Sequence, residues 1–548
     1  MARLVAFEGI DGSGKSYLSA LVAEEFRRCG VRVVHTREGG ELQSSVSRKI
    51  RKILRDPSNL ELDRKTEAIL YFARETELVA QQINPHLEEE CVIIADRFFY
   101  SHLALAMARG LSWRECSRLF RFASAGVEPE VVVLVDVEPE VARMRRKMRK
   151  VMERRVGEFS RKGLAGEKIQ VLMRRYLLDF SKKKRNWFVV ENNGDAENAL
   201  DSVMRHLFEK FGLPRRGNDR PGLSQRESHF EVLLDGENAE RFRSSFYIVM
   251  ERLAERRPRE AAYLTNRIGS RFLCDLRTRL SDVEPDMVAY SLHGLTDEVS
   301  WNLRWRLVSK APDYVALSLE GINDAESWRM RSALLERVPA EVIISLTGLE
   351  GGEADELRLR FASSVPDSVV LSLRGRNDYF SWRLRESLRK DIKESSLALS
   401  LKGVSSEKAQ KVRMEISKKA PAYVILSTEG LEDEFSWELR ESFKEKARKL
   451  VLRSIKGLGS ERAWRMREEA GDWADEVLES VHGMDCEDAW KVRKRLEKVY
   501  PAEAVRSLCS FNQSDEAWRF RWRLLKMFPQ NLRLARNVEK ALWRRLGE

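Results

Sequence analysis

The stretch AFEGIDGSGKSYL, residues Ala6–Leu18, decides how the first part of this chain folds. Within it, Gly9–Ser16 fits the pattern G-x-x-x-x-G-K-S, between a predicted strand and a predicted helix. The glycines of such a loop let backbone N–H groups approach phosphate oxygens, and the helix that follows adds its positive N-terminus. Lys15 is expected to bridge the β- and γ-phosphates, and Ser16 to ligate Mg²⁺. The residues predicted to bind the phosphates are Gly9, Gly12, Ser13, Gly14, Lys15, Ser16 and Tyr17.

Short apolar runs separated by helical patterns place this loop in an α/β domain. Continuous runs of Val, Ile and Leu are typical of parallel strands that are buried on both faces. The sequence therefore predicts a three-layer α/β P-loop domain with a parallel five-stranded sheet over residues 1–211. The predicted strands are Leu4–Phe7, Val31–Val34, Cys91–Ala95, Val131–Val137 and Trp187–Val190.

The rest of the chain has a different pattern. Residues 212–228 are rich in Pro, Gly and charge and are predicted to be a linker. Residues 229–548 repeat the motif Trp-x-apolar-Arg, most often 27 residues apart. This periodicity predicts an all-α solenoid of roughly ten short, HEAT-like helical pairs. The motifs begin at Trp301, Trp328, Leu357, Trp382, Gln410, Trp437, Trp464, Trp490 and Trp518, with degenerate copies at Leu357 and Gln410, and CDLR from Cys274 extends the register one step towards the N-terminus.

Further segments of the first domain carry a family resemblance. The P-loop is followed by TREGG at Thr36–Gly40, YFARETE at Tyr71–Glu77 and DRFFYS at Asp96–Ser101. Glu128–Arg145, EPEVVVLVDVEPEVARMR, then supplies a strand and a helix that leads towards a lid. In this order, the segments resemble thymidylate kinase, a P-loop nucleoside monophosphate kinase, over residues 1–211.

The resemblance implies an activity and a set of site residues. ATP, with Mg²⁺, would phosphorylate a nucleoside monophosphate, with dTMP the expected acceptor. Asp11 would organise the acceptor phosphate, and Asp96 would act with Ser16 in the metal site. The residues implied for the acceptor nucleotide are Arg37, Leu70, Arg74, Arg97 and Ser101. The residues implied for catalysis are Asp11, Lys15, Arg97 and an arginine of the lid, with Arg149, Arg154 and Arg155 as candidates.

The nucleobase half of the site departs from the family pattern. The segment TREGG lacks the proline of the family, and Leu70 stands where a phenylalanine is usual. After DRFFYS, residues 102–106 read HLALA and lack the aromatic and the amide that line the deoxynucleoside. Three outcomes follow: a thymidylate kinase with a divergent pocket, a kinase for another nucleotide, or a nucleotide-binding switch with little turnover.

The repeats allow two interpretations of their arginines. Trp and Arg three residues apart are neighbours on a helix surface, so Trp could pack against the next unit while Arg pairs with a carboxylate. Alternatively, stacking could align the arginines into a basic stripe for a nucleic acid or an acidic protein surface. That stripe would contain Arg304, Arg331, Arg360, Arg385, Arg413, Arg440, Arg467, Arg493 and Arg521.

Bulk properties narrow the class of protein. The chain has 548 residues and a formal net charge of +12, with acidic residues interspersed among the basic ones. No run of 18 apolar residues occurs, so we expect no membrane span. The six cysteines are far apart and form no C-x-x-C pattern, which fits a reducing, cytoplasmic location and no zinc site.

Overall fold

The computed structural model describes residues 2–36, 44–152, 167–193, 196–212, 239–471, 474–510, 512–528 and 531–546. The chain divides into two compact units, Met1–Gln225 and Arg226–Glu548. We call the first the α/β unit and the second the helical unit.

A parallel five-stranded sheet forms the centre of the α/β unit, as predicted. Its order is β2-β3-β1-β4-β5, and all strand pairs are parallel. Phe7 of β1 pairs with Asp96 of β3, so the start of the P-loop lies beside the carboxyl end of β3. The strands are β1 (Arg3–Glu8), β2 (Val33–Thr36), β3 (Val92–Asp96), β4 (Val131–Asp136) and β5 (Trp187–Glu191).

Helices flank the sheet. Val5 and Phe7 pack with α1 and α8, while Leu4 and Ala6, which point to the other face, are also buried. The central strands are therefore covered on both faces, which explains their continuous apolar runs. The helices of this unit are α1 (Lys15–Arg28), α2 (Ser45–Arg55), α3 (Arg64–Leu78), α4 (Phe99–Ala108), α5 (Trp113–Ser124), α6 (Pro139–Met152), α7 (Lys168–Lys183) and α8 (Ala196–Phe211).

The helical unit repeats a short helix, here called an A helix, followed by a longer B helix. It begins with α9 (Ala239–Arg256) and ends with α30 (Leu532–Leu546). The A helices are α10 (Pro258–Leu264), α12 (Pro285–Ser291), α14 (Pro312–Leu317), α16 (Pro339–Ile344), α18 (Pro366–Ser372), α20 (Glu394–Ser400), α22 (Pro421–Ser427), α24 (Arg448–Ser454), α26 (Ala474–Ser480) and α28 (Pro501–Ser507). The B helices are α11 (Arg271–Leu280), α13 (Glu298–Leu307), α15 (Ala325–Leu334), α17 (Gly352–Arg360), α19 (Tyr379–Ser387), α21 (Glu407–Ile416), α23 (Glu434–Phe443), α25 (Glu461–Glu469), α27 (Glu487–Leu496) and α29 (Asp515–Met527).

Local signals set the boundaries of each pair. Proline occupies the first turn of A helices, as at Pro312 and Pro339, where its missing N–H has no intrahelical partner to lose. Proline therefore opens a unit as well as ending the preceding one. Aspartate caps B helices: the Asp324 side chain accepts from the Ser327 backbone N–H at 2.7 Å. Successive A helices contact each other, and so build the array that the repeat pattern predicts.

The repeat arginines lie inside the array, so the predicted basic stripe is wrong. Ten arginines, one in each B helix, are at most 2% exposed. Within the described residues, only Arg358 forms an ion pair with a carboxylate, that of Asp355 at 2.7 Å, so the expected carboxylate partners are also mostly wrong. The buried arginines are Arg277, Arg304, Arg331, Arg358, Arg385, Arg413, Arg440, Arg467, Arg493 and Arg521.

Serine and backbone carbonyls take the place of carboxylates. Arg304 donates from Nε to Ser318 Oγ at 2.9 Å, and Ser318 is the C-cap of the next A helix. Its Nη1 and Nη2 donate to the carbonyls of Leu295 and Leu292, at 2.8 and 2.7 Å, at the end of the preceding A helix. These carbonyls have no intrahelical partner and carry the negative end of the helix dipole. Nine of the ten arginines, Arg277 to Arg493 in chain order, join the C-terminal ends of two successive A helices in this way, whereas among the described residues Arg521 donates only to the carbonyl of Cys509.

One degenerate repeat has a different register from the one predicted. The motif assigned to Leu357–Arg360 made Arg360 the repeat arginine, but Arg360 is exposed. Arg358 occupies the buried position and donates from Nε to Ser372 Oγ at 3.0 Å. The motif of this unit is therefore Asp355–Arg358, with aspartate in the place of tryptophan. With this register the repeat arginines recur every 26 to 28 residues.

The last helix of the array contacts the first helices, a feature that the repeat pattern did not predict. Glu539 of α30 is fully buried and pairs with Arg243 of α9 at 3.1 Å. Tyr247 of α9 donates its hydroxyl to the same carboxylate at 3.1 Å. Arg536 of α30 donates to the carbonyl of Asn266, just after α10, at 2.7 Å. The array of helical pairs therefore closes on itself.

Candidate active site

The P-loop adopts a conformation that requires glycine. Gly9, Gly12 and Gly14 have φ values of 150°, 91° and 91°. A Cβ at Gly12 would lie 2.4 Å from the carbonyl oxygen of Ala142, and one at Gly14 would lie 2.5 Å from Asn192 Nδ2. Neighbouring elements thus pack so closely against the loop that only glycine fits at these two positions. That is the arrangement a phosphate cradle needs.

The polar side chains of the loop suit a triphosphate with Mg²⁺. Lys15 is buried, and its Nζ donates to the carbonyl of Ile10 at 3.2 Å, across the loop. Ser13 Oγ is buried and has no hydrogen-bond partner among the described residues. Ser16 and Tyr17 are exposed at the start of α1. A buried hydroxyl without a partner, next to a buried ammonium, fits phosphate oxygens as the missing acceptors.

Asp11 and Arg97 connect the P-loop with the end of β3. Arg97 Nη2 donates to Asp11 Oδ1 at 2.7 Å, and Nη1 donates to the carbonyl of Gly9 at 3.4 Å. Arg97 has φ 80°, a left-handed backbone that arginine rarely adopts, and its N–H donates to the carbonyl of Phe7 at 3.0 Å. Such strain is kept where the side chain has a task. The structure thus holds the predicted acceptor-phosphate arginine against the donor loop.

Glu8, which the sequence analysis did not select, lies under this site. It is fully buried and accepts from the backbone N–H groups of Phe98 and Ser101, at 3.1 and 3.2 Å, and from the Ser101 hydroxyl. Burial raises the pKa of the Glu8 carboxyl to about 7, against the opposing effect of Arg97. A charged residue at the end of an apolar strand was a usable signal. The hydroxyl of Ser101, predicted to face the acceptor, is used here to hold Glu8.

Two arginines of α6 contact the P-loop, and neither was selected as the lid arginine. Arg145 Nη1 donates to the carbonyl of Ser13 at 3.3 Å. Arg146 donates to the carbonyl of Asp11 and also to Glu167. Arg149, the predicted candidate on this helix, is exposed. The other candidates, Arg154 and Arg155, and the acceptor residue Arg37 lie outside the described residues.

Two other residues support the loop from neighbouring elements. Asn192, which follows β5, donates to the carbonyl of Ser13 at 2.7 Å. Gln170 of α7 accepts from the backbone N–H of Asp11 at 3.0 Å. The sequence did not reveal these two residues, because the segments around them carry no phosphate-binding motif. Their role is seen only from their contacts in the fold.

The predicted base-binding residues lie on α3. Leu70 is half-buried, and Arg74, one turn later on the same face, is buried. Tyr71 stacks on His102 of α4 with ring centroids 5.0 Å apart. His102 Nε2 lies 2.9 Å from Glu75 Oε2, and both side chains are buried. This contact joins α3 to α4, so His102 has a packing role.

Asp96, the second predicted metal residue, is buried at the carboxyl end of β3. Among the described residues, no group of three or more His, Cys, Asp or Glu side chains is placed to hold a metal. Mg²⁺ is commonly held by one or two protein ligands together with phosphate oxygens and water. Ser16 and Asp96 fit that mode of binding.

Comparison with known proteins identifies the family. The thymidylate kinase family model matches residues 7–203. The curated thymidylate kinase of Pelotomaculum thermopropionicum is 38% identical over 223 residues, which cover 40% of this chain and 98% of that protein. The chain belongs to the thymidylate kinase family. The thymidylate kinase of Thermosipho africanus is 30% identical over 208 residues, 38% of this chain and 97% of that protein, and that of Symbiobacterium thermophilum is 32% identical over 218 residues, 39% of this chain and 96% of that protein.

The α/β unit is thus that of a nucleoside monophosphate kinase, a phosphotransferase. Thymidylate kinases generally use ATP and Mg²⁺, and the P-loop described above fits both. These relatives are matched along nearly their whole length by about two fifths of this chain, so they have no counterpart to the helical unit. In the described part of the chain, no helix is both long and apolar enough to cross a membrane.

Proposed function

We propose that this protein transfers the γ-phosphoryl group of ATP to dTMP, which gives ADP and dTDP. The γ-phosphorus leaves the β,γ-bridging oxygen of ATP and bonds to an oxygen of the dTMP phosphate. Phosphoryl transfer needs alignment of the two phosphates and neutralisation of their charge more than covalent help. The proposed site residues are those that meet these two needs.

On the donor side, the P-loop holds the triphosphate. Its backbone N–H groups and Ser13 Oγ would bind phosphate oxygens, and Lys15 would neutralise the β- and γ-phosphates. Ser16 and Asp96 would hold Mg²⁺, which supplies further positive charge to the phosphates when bound. Arg145 and Arg146 already contact the loop from α6, which supports them as the cations that offset transition-state charge.

On the acceptor side, Arg97 would grip the phosphate of dTMP. Its planar guanidinium can bond two oxygens, and Asp11 fixes its orientation at 2.7 Å. Arg74, buried on α3, would hydrogen-bond the base, with Leu70 beside it as the apolar surface. Ser101 would contribute through Glu8, by fixing the start of α4.

The Arg97–Asp11 contact carries this proposal. Arg97 lies against the P-loop, so a phosphate bound to Arg97 would lie next to one bound in the loop, which supports the proposal. A switch protein that only binds a nucleoside triphosphate has no need for a strained arginine at this place.

The test is an ADP-release assay with the full-length chain and a panel of ribo- and deoxynucleoside monophosphates. We expect dTMP to give the highest kcat/KM of the panel. If ATP binds but no monophosphate stimulates ADP release, the proposal fails and a nucleotide switch takes its place. Arg118→Met, which removes an exposed arginine of α5, is the matched control for Arg97→Met.

We further propose that the helical unit recruits or regulates the kinase. Arrays of helical pairs offer extended surfaces for partners, and the single-domain relatives described above lack this unit. A protein partner is the expected class, because the repeat arginines are buried and leave no basic stripe for a nucleic acid. Cross-linking of the full-length chain in extracts of its own cells, with a variant that alters exposed B-helix side chains as the control, tests this role. Equal cross-linking of both chains would contradict it.

A further inference from the structure

Closure of the helical array gathers positive charge at the point where its ends meet. Arg267 follows the first A helix, Arg506 lies in the last A helix, and Arg536 and Lys540 lie in α30. We call these four residues the seam cluster. Arg536 donates to the carbonyls of Leu264 and Asn266, at 3.2 and 2.7 Å. Its guanidinium therefore lies against the backbone of the residue that precedes Arg267.

The seam cluster belongs to the concave wall of the array. Arg374 pairs with Glu320 at 2.7 Å, although the two residues are two units apart. Side chains of alternate units can meet only on the concave side of a curved array. His293 holds the same position as Glu320 in its own unit, and Arg267 and Lys540 act on its charge. Both cations therefore lie near this position of the concave wall.

In the middle units of this wall several charges are paired. Arg374 is neutralised by Glu320, and Lys402 pairs with Glu429 at 2.8 Å. Arg453 also approaches Glu429, at 3.9 Å. The wall thus carries ion pairs along its middle units.

At the seam, the cations have no carboxylate partners in the described part of the chain. Among the described residues, no carboxylate lies within ion-pairing distance of the four seam cations. The two nearby carboxylates are taken: Glu539 by Arg243 at 3.1 Å and Glu503 by Arg533 at 2.6 Å. Burial, together with the charges of Arg536, Arg544 and Arg267, lowers the pKa of Lys540 to about 7. Like charges are therefore held together without a counter-ion from the protein.

Arg267 also has an unfavourable backbone conformation. It has φ 61°, in the left-handed region. Eight later units have glycine at the equivalent place, where this conformation has no steric cost. These glycines are Gly294, Gly321, Gly348, Gly375, Gly403, Gly430, Gly457 and Gly483. Strain of this kind is kept at functional sites, and here it keeps a cation at the seam.

Two aromatic rings border the cluster. Tyr263 and Tyr290 lie almost parallel, with an interplanar angle of 3° and ring centroids 6.3 Å apart. Both act on the charge of Arg536, and Tyr290 is also near Arg267. Cations next to partly exposed aromatic faces are the elements with which proteins bind phosphate groups that carry a base.

We propose that the seam cluster binds a small polyphosphate, either free or carried by a nucleotide. Four cations without protein counter-ions match a ligand with several negative charges, and charge-assisted hydrogen bonds would offset their mutual repulsion. A nucleic acid strand would need a continuous row of cations along the wall, and the middle units instead carry the ion pairs described above. This ligand site belongs to the helical unit and does not depend on the proposed acceptor.

The experiment titrates inorganic tripolyphosphate into the full-length chain by calorimetry, without Mg²⁺. The background is Lys15→Ala, which weakens the P-loop. We expect Arg267→Gly and Lys540→Met each to weaken binding by about tenfold or more. Arg267→Gly is decisive, because glycine relieves the backbone strain and so raises or preserves the melting temperature while the cation is lost.

Lys402→Gln, a cation of the same wall that already has a partner, is the matched control and should leave binding unchanged. A parallel titration with dTTP distinguishes a nucleotide from free polyphosphate. If dTTP binds more tightly than tripolyphosphate, and this advantage is lost in Tyr290→Leu, the site binds a nucleotide. If the two ligands bind equally, the site binds free polyphosphate. Unchanged binding in both seam variants would overturn the proposal. So would equal loss in Lys402→Gln, or binding of a single-stranded oligonucleotide without binding of tripolyphosphate.

Discussion

Arginines of the two units do different work, although the sequence presents both as basic motifs. In the α/β unit, Arg97, Arg145 and Arg146 reach the P-loop and keep part of their surface open. In the helical unit, the ten repeat arginines are buried and donate to backbone carbonyls, and nine of them also donate to a serine hydroxyl. The comparison indicates that burial, rather than the spacing of basic residues along the chain, decides whether an arginine is open to a ligand.

The two units also differ in what stabilises their buried charged groups. Burial lowers the pKa of repeat arginines such as Arg440 to about 10, so they stay charged at neutral pH. Each guanidinium is compensated by helix C-terminal carbonyls, which carry partial negative charge. Glu8 of the α/β unit is instead a buried acid with a pKa of about 7, so its charge depends on pH.

The largest effect is expected from the P-loop. Lys15→Met removes the buried ammonium from the donor site, and we expect kcat to fall by about 10³-fold, because charge stabilisation in such sites is worth this much. The melting temperature of both units should stay the same. Steady-state ADP release and calorimetric melting of one preparation measure both. Retained activity would remove Lys15 from the catalytic set.

The next effect concerns a repeat arginine. Arg440→Met leaves Ser454 Oγ and the carbonyl of Thr428 without their donor, and we expect the helical unit to lose about 3 kcal/mol of unfolding free energy. The exposed Arg462, which pairs with Glu434, is the control; its change to Met should cost about 0.5 kcal/mol or less. Equal losses measured by urea unfolding would contradict the difference between buried and exposed arginines.

A smaller effect on kcat is expected from the arginines of α6, and it distinguishes the candidate found in the structure from the one predicted from the sequence. Arg146→Met removes a contact to the P-loop, and we expect kcat to fall by about 10- to 100-fold. Arg149→Met removes an exposed side chain of the same helix and should change kcat little. Kinetics of the two variants under saturating ATP separate them. A larger loss in Arg149→Met would restore the sequence-based candidate.

The smallest effect is a dependence of stability on pH. The folded pKa of Glu8 is raised to about 7, so the folded state favours the protonated acid. Its contribution to stability is complete below the unfolded pKa and is lost as the pH rises through about 7, with a slope of at most about 1.4 kcal/mol per unit. Glu8→Gln should flatten this slope between pH 5 and 7, measured by denaturant unfolding of the α/β unit. An unchanged slope would show that another group titrates.

Much of the fold was predictable from the sequence. Buried parallel strands need continuous apolar runs, so the five strands were found with ends shifted by a residue or two. The repeat period revealed the helical pairs. What the period could not give is the contact of Glu539 with Arg243, because it joins residues nearly 300 positions apart in a way that no local pattern encodes. The register of Arg358 was missed because the Trp of its motif is replaced by Asp355.

The site was predictable only in part. The phosphate loop has a strict geometric demand for glycine, so its motif names its own residues. Arg145, Arg146 and Asn192 approach it from other elements, and their role depends on packing that the sequence does not state. The predicted arginine stripe was wrong because the repeat pattern gives the spacing of the arginines but not whether their side chains are exposed or buried.

The direct test of the central claim is the dTMP-stimulated rate of ADP release in the full-length chain, measured for the native protein and for Arg97→Met. The account predicts a saturable stimulation by dTMP in the native protein, and its loss in Arg97→Met with no change in the melting of either unit. It would be contradicted if dTMP gave no stimulation while ATP bound, or if Arg97→Met kept the native rate.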